Sequence, residues 1–249
     1  MALHPLSTRF AEVADVYERG RPGYAPAVVG ALAAELGIAA GARVLDLAAG
    51  TGKLTRALLA HGLDVTAVEP QEPLREVLAA NIGGERVRAG FAEDIPLPDG
   101  SVDAVTVADA FHWFDHAAAL KEIARVLPPG GGLAVLNTVP DWSGASWAEE
   151  VGTMMEKLRP EHPGIDGPPW QDAVRAAADW SELREVRVIV NQPANADKFV
   201  DYIASVSWVA ALPEDKRAET LGQIQARVAA GGMPSEIPVQ TTIGVTSLT

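Results

Sequence analysis

The stretch Val44–Thr55, VLDLAAGTGKLT, leaves fewer folds open than any other part of the chain. Ala42 to Leu47 is a short, largely apolar run, and such a run reads as a strand buried on both faces of a parallel sheet. Leu54 to His61 reads as the helix that follows. Between them Gly50 and Gly52 mark a tight turn, where missing side chains let a ligand reach the backbone and where the free amides of a helix start can donate. In open parallel sheets ligands collect beyond the C-terminal ends of the strands, so a nucleotide-like ligand is expected above this one.

Spacing separates the loops that hold nucleotides. A phosphate-cradling loop needs GxxxxGK followed by Ser or Thr, but Leu47 stands five residues before Gly52 and Leu54 follows Lys53. A dinucleotide fingerprint needs a third glycine where this chain has Thr55. The remaining pattern, Asp46 followed by small residues at Ala48, Gly50 and Gly52, resembles motif I of the class I S-adenosylmethionine (SAM) dependent methyltransferases. Asp64 to Pro70, DVTAVEP, is similar to that family's second strand, whose terminal acid, here Glu69, bonds both ribose hydroxyls. Ala92 to Asp115 looks like the adenine loop, the fourth strand and the loop after it, and Val126 to Asn137 like the turn and fifth strand. These four segments, in family order and spacing, cover most of residues 40 to 140.

The resemblance implies an α/β fold: a Rossmann-like seven-stranded sheet, mostly parallel with an antiparallel last strand, helices on both faces and a helical lid insertion. Residues 1–249 are expected to form a single methyltransferase domain, with an N-terminal helical cap over 1–40, a SAM-binding core over 41–140 and C-terminal strands carrying the lid over 141–249. The chain's own patterning agrees. Ala11 to Leu36 suggests two helices broken at RGRPGYAP, with Pro26 opening the second, and strand and helix signals alternate from Arg43 to Val139. Beyond Pro140, helices are expected over Ala145–Leu158, Trp170–Ala178, Ala196–Val206 and Pro213–Ala230, a proline-rich loop over Pro160–Pro169, and strands over Leu183–Asn191 and Ile237–Val245.

Composition narrows the partners. A net charge of −13 disfavours a phosphate-binding surface, so DNA and RNA are not expected ligands. No cysteine is present, which removes disulfides, Cys zinc sites and thiol nucleophiles and suits a cytoplasmic location. The N-terminal MALHPLSTRF lacks the pattern of an export signal, and no apolar run approaches a membrane span, so no membrane partner is expected. The protein is expected to work as a monomer or homodimer on a small-molecule methyl acceptor.

By resemblance, the cofactor SAM is expected to touch Asp46, Ala48, Gly50, Thr51 and Gly52 in the first loop, Glu69 and Pro70 after the second strand, Phe91, Ala92 and Glu93 at the adenine end, and Ala108 after the fourth strand. The chain departs from the family at Ala48, which replaces the first glycine, and at Phe91, where many relatives carry an Asp that bonds the adenine amino group. Asp94 is read either as a substitute for that Asp or as a solvated turn acid. Asp46 is expected to position loop amides or the cofactor amine, and Lys53 to be solvated. Tyr17, Arg21 and Tyr24 belong to the cap that closes over the methionine end in similar enzymes, Tyr17 and Arg21 being expected to touch the cofactor and Tyr24 the substrate; Arg21 either pairs with the cofactor carboxylate or is a surface turn arginine.

His112 and His116 have helical i, i+4 spacing, but no HExxH glutamate lies between them, so no metal site is expected. His112 follows the fourth strand and is read as a general base, as a residue orienting a substrate oxygen, or as a structural histidine. Trp113 is assigned to a substrate wall, Phe111 and Phe114 to the core, and Tyr202 and Trp208 to the substrate side of the lid. The expected reaction is methyl transfer to a small organic molecule at oxygen, giving S-adenosylhomocysteine (SAH). The rivals are a SAM-binding scaffold for a cyclisation, a non-catalytic binding module and, more weakly, a nicotinamide oxidoreductase.

Overall fold

Strands that are apolar on both sides must be covered on both sides, and in the computed structural model, which describes residues 3–249, helices do this for a seven-stranded sheet. A 3-10 segment, Ser7–Val13, leads into α1 (Ala14–Gly20) and α2 (Pro26–Leu36). The core follows as β1 (Arg43–Leu47), α3 (Lys53–Ala60), β2 (Asp64–Val68), α4 (Glu72–Ile82), β3 (Val87–Arg88), β4 (Ala104–Ala108), α5 (His116–Val126) and β5 (Gly132–Pro140). Then come α6 (Ala148–Leu158), α7 (Pro163–Asp166), α8 (Trp170–Ala176), β6 (Arg184–Pro193), α9 (Ala196–Ala204), α10 (Ser207–Ala210), α11 (Glu214–Gly231) and β7 (Glu236–Ser247).

The strand order is β3-β2-β1-β4-β5-β7-β6. Six strands run one way, and β7 runs against β5 and β6 between them, as the family pattern implies. The order reverses between β1, which leads outward to β2, and β4, so the loops after β1 and β4 diverge and leave a crevice at their C-terminal ends.

Alternate residues divide the core. Leu45, Leu47, Val105, Val107, Leu133 and Val135 pack on one face with Leu120 and Ile123 of α5 and Val174 of α8. Val44, Val65, Leu136, Ile243 and Val245 pack on the other with Val28 and Leu32 of α2 and Leu54 and Leu58 of α3. A third core, built from Trp147 and Val151 of α6, Phe199 and Ile203 of α9, Val209 of α10 and Ile224 and Val228 of α11, contains no strand residue. It unites the inserted helices into a layer of their own.

Local signals explain most boundaries. Pro26 occupies the first turn of α2, and the Asp115 side chain caps α5 by accepting from the Ala118 amide at 3.1 Å. The expected helix over Ala196–Val206 is α9, two residues shorter, the short α10 that follows it was not expected, and the proline-rich loop contains the single turn α7. The two-residue β3 is too short for any periodicity and is recruited by pairing with Ala67 and Val68. No helix among the described residues is long and apolar enough to cross a membrane.

The cap joins the inserted helices where α1 packs on α9. A Cβ at Gly20 would overlap the backbone of Asp201 and Tyr202, atoms that cannot step aside, whereas one at Gly30 in α2 would meet nothing within 4 Å. Gly20→Ala is therefore expected to destabilise the protein by about 1–3 kcal/mol, and Gly30→Ala to stabilise it by up to ~1 kcal/mol through helix propensity. Urea unfolding of both variants checks the pair.

Candidate active site

Three acids stand at or just beyond the ends of adjacent strands: Asp46 in β1, Glu69 after β2 and Asp109 after β4. Asp46 is buried, and its oxygens accept from the hydroxyls of Thr55 (2.6 Å) and Thr106 (3.2 Å). Burial outweighs these bonds and pushes its carboxyl up to about 6. Of the two partners expected for Asp46, loop amides or the cofactor amine, the first is corrected: the Gly50 amide donates to Glu69 instead, at 3.0 Å. Glu69 accepts a second amide from Gln71 at 2.9 Å, and burial, again the larger effect, pushes it up to about 7. The Gly50 bond ties the loop after β1 to the end of β2, and the Gln71 bond stays within the turn after β2.

Asp109 escaped the sequence reading. It adopts φ +54°, and the only other non-glycine residue with positive φ among those described is Ala48 at +57°. Its Oδ1 accepts from the Thr138 amide (2.8 Å) and its Oδ2 from the Tyr24 hydroxyl (3.1 Å). The carboxyl faces open space yet is ringed by protein, so desolvation raises its pKa, as it does that of Tyr24. The available signal was its place, the first residue after an apolar strand in the same sheet.

Three cavities meet here. The first is bounded by Glu69, Pro70, Phe91, Ala92, Glu93 and Trp113 and roofed by Phe10 and Tyr17. The second is bounded by Arg21, Tyr24, Asp46, Thr51 and Lys53, and the two share Tyr17, Ala48, Gly50, Ala108 and Asp109. A third, of about 390 Å³, holds His112, Asn137 and Arg187 and touches the first at Asp109 and Ala110. Asp109 borders all three.

Most residues expected at the site thus converge, with instructive exceptions. Gly52 lines none of the three cavities; a Cβ there would strike Leu78 of α4, so it serves helix packing. Tyr202 stacks on Arg21 (4.9 Å from guanidinium carbon to ring centroid) outside the three cavities, and Trp208 packs in the third core with its ring 5.4 Å from His162. Trp113 borders the first cavity and not the third, and Phe114, expected in the core, lines the first as well. Asp94 is exposed.

Arg21 is not a surface turn residue: it lies between Tyr17 and Tyr202, donates to Ser205 Oγ at 2.8 Å and borders the second cavity. Lys53 is not solvated either. Its Nζ donates to the Glu18 carbonyl at 2.6 Å, and burial lowers its pKa to about 8. His112 borders only the third cavity, where burial, aided by His162, holds it down to about 4, so its imidazole is neutral at pH 7.

Known proteins decide the family. A methyltransferase-domain family matches residues 45–135. An uncharacterised methyltransferase of Mycobacterium bovis is 39% identical over 225 residues, 90% of this chain and 87% of that protein. The chain belongs to the class I SAM-dependent methyltransferases. A solved structure of a proposed type II methyltransferase from Anaeromyxobacter dehalogenans shares the fold with a TM-score of 0.65 at 24% identity, covering 91% of this chain and 97% of that one. So does a SAM-dependent methyltransferase from Thiobacillus denitrificans in complex with SAH, with a TM-score of 0.51 at 19% identity over the whole of both chains.

The residues present fit the methyltransferase cofactor. The Thr51 hydroxyl is buried beside the second cavity without a partner, and a Cβ at Gly50 would meet no atom within 4 Å. Asp46, Glu69 and Asp109 concentrate acid beside the cleft, which complements a ligand carrying a sulfonium and an ammonium group.

The raised carboxyls make stability depend on pH. Between the unfolded values of 3.8 and 4.5 and the folded values of about 6 and 7, the unfolded chain has lost protons that Asp46 and Glu69 still hold when folded. Their contribution therefore falls as pH rises through this window and levels off above about 7. Denaturant midpoints of the ligand-free protein between pH 5 and 7.5 should show a smaller decline in Glu69→Gln than in the wild type.

Proposed function

We propose that the protein transfers the methyl group of SAM to an oxygen atom of a small organic acceptor. The observation that carries this reading is the meeting of three cavities at Asp109. In this reading the first cavity takes adenosine: Glu69 accepts from the ribose hydroxyls, while Phe91 and Trp113 flank the base. The second takes the amino-acid end, with Arg21 and Lys53 facing the carboxylate and the Thr51 hydroxyl offering a hydrogen bond. The third takes the acceptor.

When bound, SAM supplies a methyl carbon on a cationic sulfur; the acceptor oxygen bonds to that carbon while the carbon–sulfur electron pair returns to sulfur, leaving SAH. The protein's own contribution is alignment and exclusion of water by the cap. For a hydroxyl acceptor Asp109 takes the proton, a task suited to a carboxylate whose pKa desolvation has raised. His112, neutral and on the acceptor side, orients the acceptor rather than serving as the base. A carboxylate acceptor needs no base. A cytoplasmic setting is consistent with the cysteine-free chain.

Calorimetry tests the cofactor site first: SAM and SAH are expected to bind, with Glu69→Ala weakening both by roughly 10- to 100-fold through loss of charged hydrogen bonds. Turnover with methyl-labelled SAM then tests the chemistry. The product should gain one methyl on oxygen, and Asp109→Asn should lower kcat for a hydroxyl acceptor by about 100-fold or more. A product methylated at nitrogen or carbon would overturn the assignment to oxygen.

A further inference from the structure

On the reading that the third cavity receives the acceptor, its floor specifies what the acceptor looks like. The cavity lies on the sheet face that α5 and α8 cover only in part. Trp170 of α8 closes the row formed by Val135, Gly244 and Glu185, where a Cβ at Gly244 would strike its ring. The next row across β5, β7 and β6 is Asn137, Thr242 and Arg187, and all three border the cavity. Beyond it stands the row Val139, Gln240 and Ile189. Val139, Ile189 and Ile165 are the three exposed large aliphatic residues among those described, and Ile165 also lines the cavity. The space therefore has a polar stripe on its floor and apolar surfaces beside it.

Arg187 is the cation of that stripe. It is exposed and makes no ion pair or hydrogen bond among the described residues, and Glu185, two residues back on the same strand face and also bordering the cavity, accepts from Gln171 Nε2 at 3.1 Å. At the other end of the stripe the Asn137 amide approaches Asp109 Oδ1 at 3.4 Å. Two strand spacings separate Asn137 from Arg187, about 10 Å. A ligand with its reacting atom beside Asp109 and an apolar body against Phe111, Trp170, Pro163 and Pro169, which also line the cavity, therefore reaches the Arg187 guanidinium with its far end.

We infer that the third cavity selects an elongated acceptor with an apolar body and a terminal anionic group, and that Arg187 is the residue that recognises this anion. A guanidinium suits the task because its fork of donors pairs with both oxygens of a carboxylate. An arginine that merely protects the edge strand β6 from pairing with other chains would hold no such preference.

The test uses the whole protein loaded with SAH, titrated with 4-hydroxybenzoate, 4-hydroxyphenylacetate and 3-(4-hydroxyphenyl)propionate and with the neutral carboxamide of each. The acids should bind about tenfold or more tightly than their amides, with the longest acid tightest. Arg187→Met should bring acid affinity down to that of the amide with the SAH affinity unchanged, and Arg187→Lys should restore part of the preference. Equal binding of acids and amides, a preference that survives Arg187→Met, or no binding of any acid would overturn the inference. Failure of SAH itself to bind would instead overturn the preceding functional reading.

Discussion

Placing acids at the ends of three neighbouring strands is the constraint around which the rest of the structure is arranged. A carboxylate removed from water must find donors, and each here finds a different set: threonine hydroxyls for Asp46, loop amides for Glu69, and an amide with a tyrosine hydroxyl for Asp109. Those donors come from other elements, so satisfying the acids also fixes the loops. The Gly50 amide is pinned by Glu69, and Tyr24 from the cap is held by Asp109. Backbone cost gathers in the same place, because Ala48 and Asp109 both hold left-handed conformations that side chains disfavour.

The cap and the inserted helices form the second organising contact. Arg21 lies within 5.2 Å of the Tyr17 ring and 4.9 Å of the Tyr202 ring and bonds Ser205, so one cation joins α1 to α9. Glu18 ties α1 to α3 on its other side, pairing with Arg56 at 2.7 Å while its backbone carbonyl receives Lys53. Since Tyr17 and Arg21 also border the second cavity, the wall of that cavity and the attachment of the third core use the same residues. In our reading a ligand carboxylate adds to this corner an anion that Arg21 and Lys53 face from the second cavity.

Legibility in the sequence followed the range of the interactions concerned. Glu69 could be placed from the family resemblance of its strand and the spacing of one βαβ unit, because both depend on neighbours along the chain. Lys53 was misread because a helix start looks solvated until a distant carbonyl at Glu18 covers it. Gly52 was assigned to the ligand because its motif places it there, yet Leu78, on the following helix, occupies the space a side chain would need. Tyr202 and Trp208 had aromatic character but no signal for direction, and packing sent one to Arg21 and the other to the third core.

By itself the sequence determined the alternation of strands and helices, the glycine turn after β1 and the acid after β2, and the family and its cofactor followed from the resemblance these segments bear to known methyltransferases. These are local patterns, set by burial period, turn chemistry and separation along one chain segment. Only the tertiary structure decided that Asp109 stands where three cavities meet, that Arg21 faces inward, and that Arg187 shares a floor with Asn137. Each of those facts joins elements separated by tens of residues or more, through the strand order β4-β5-β7-β6. Strand order arises from the closure of the whole sheet, so no short stretch of residues records it.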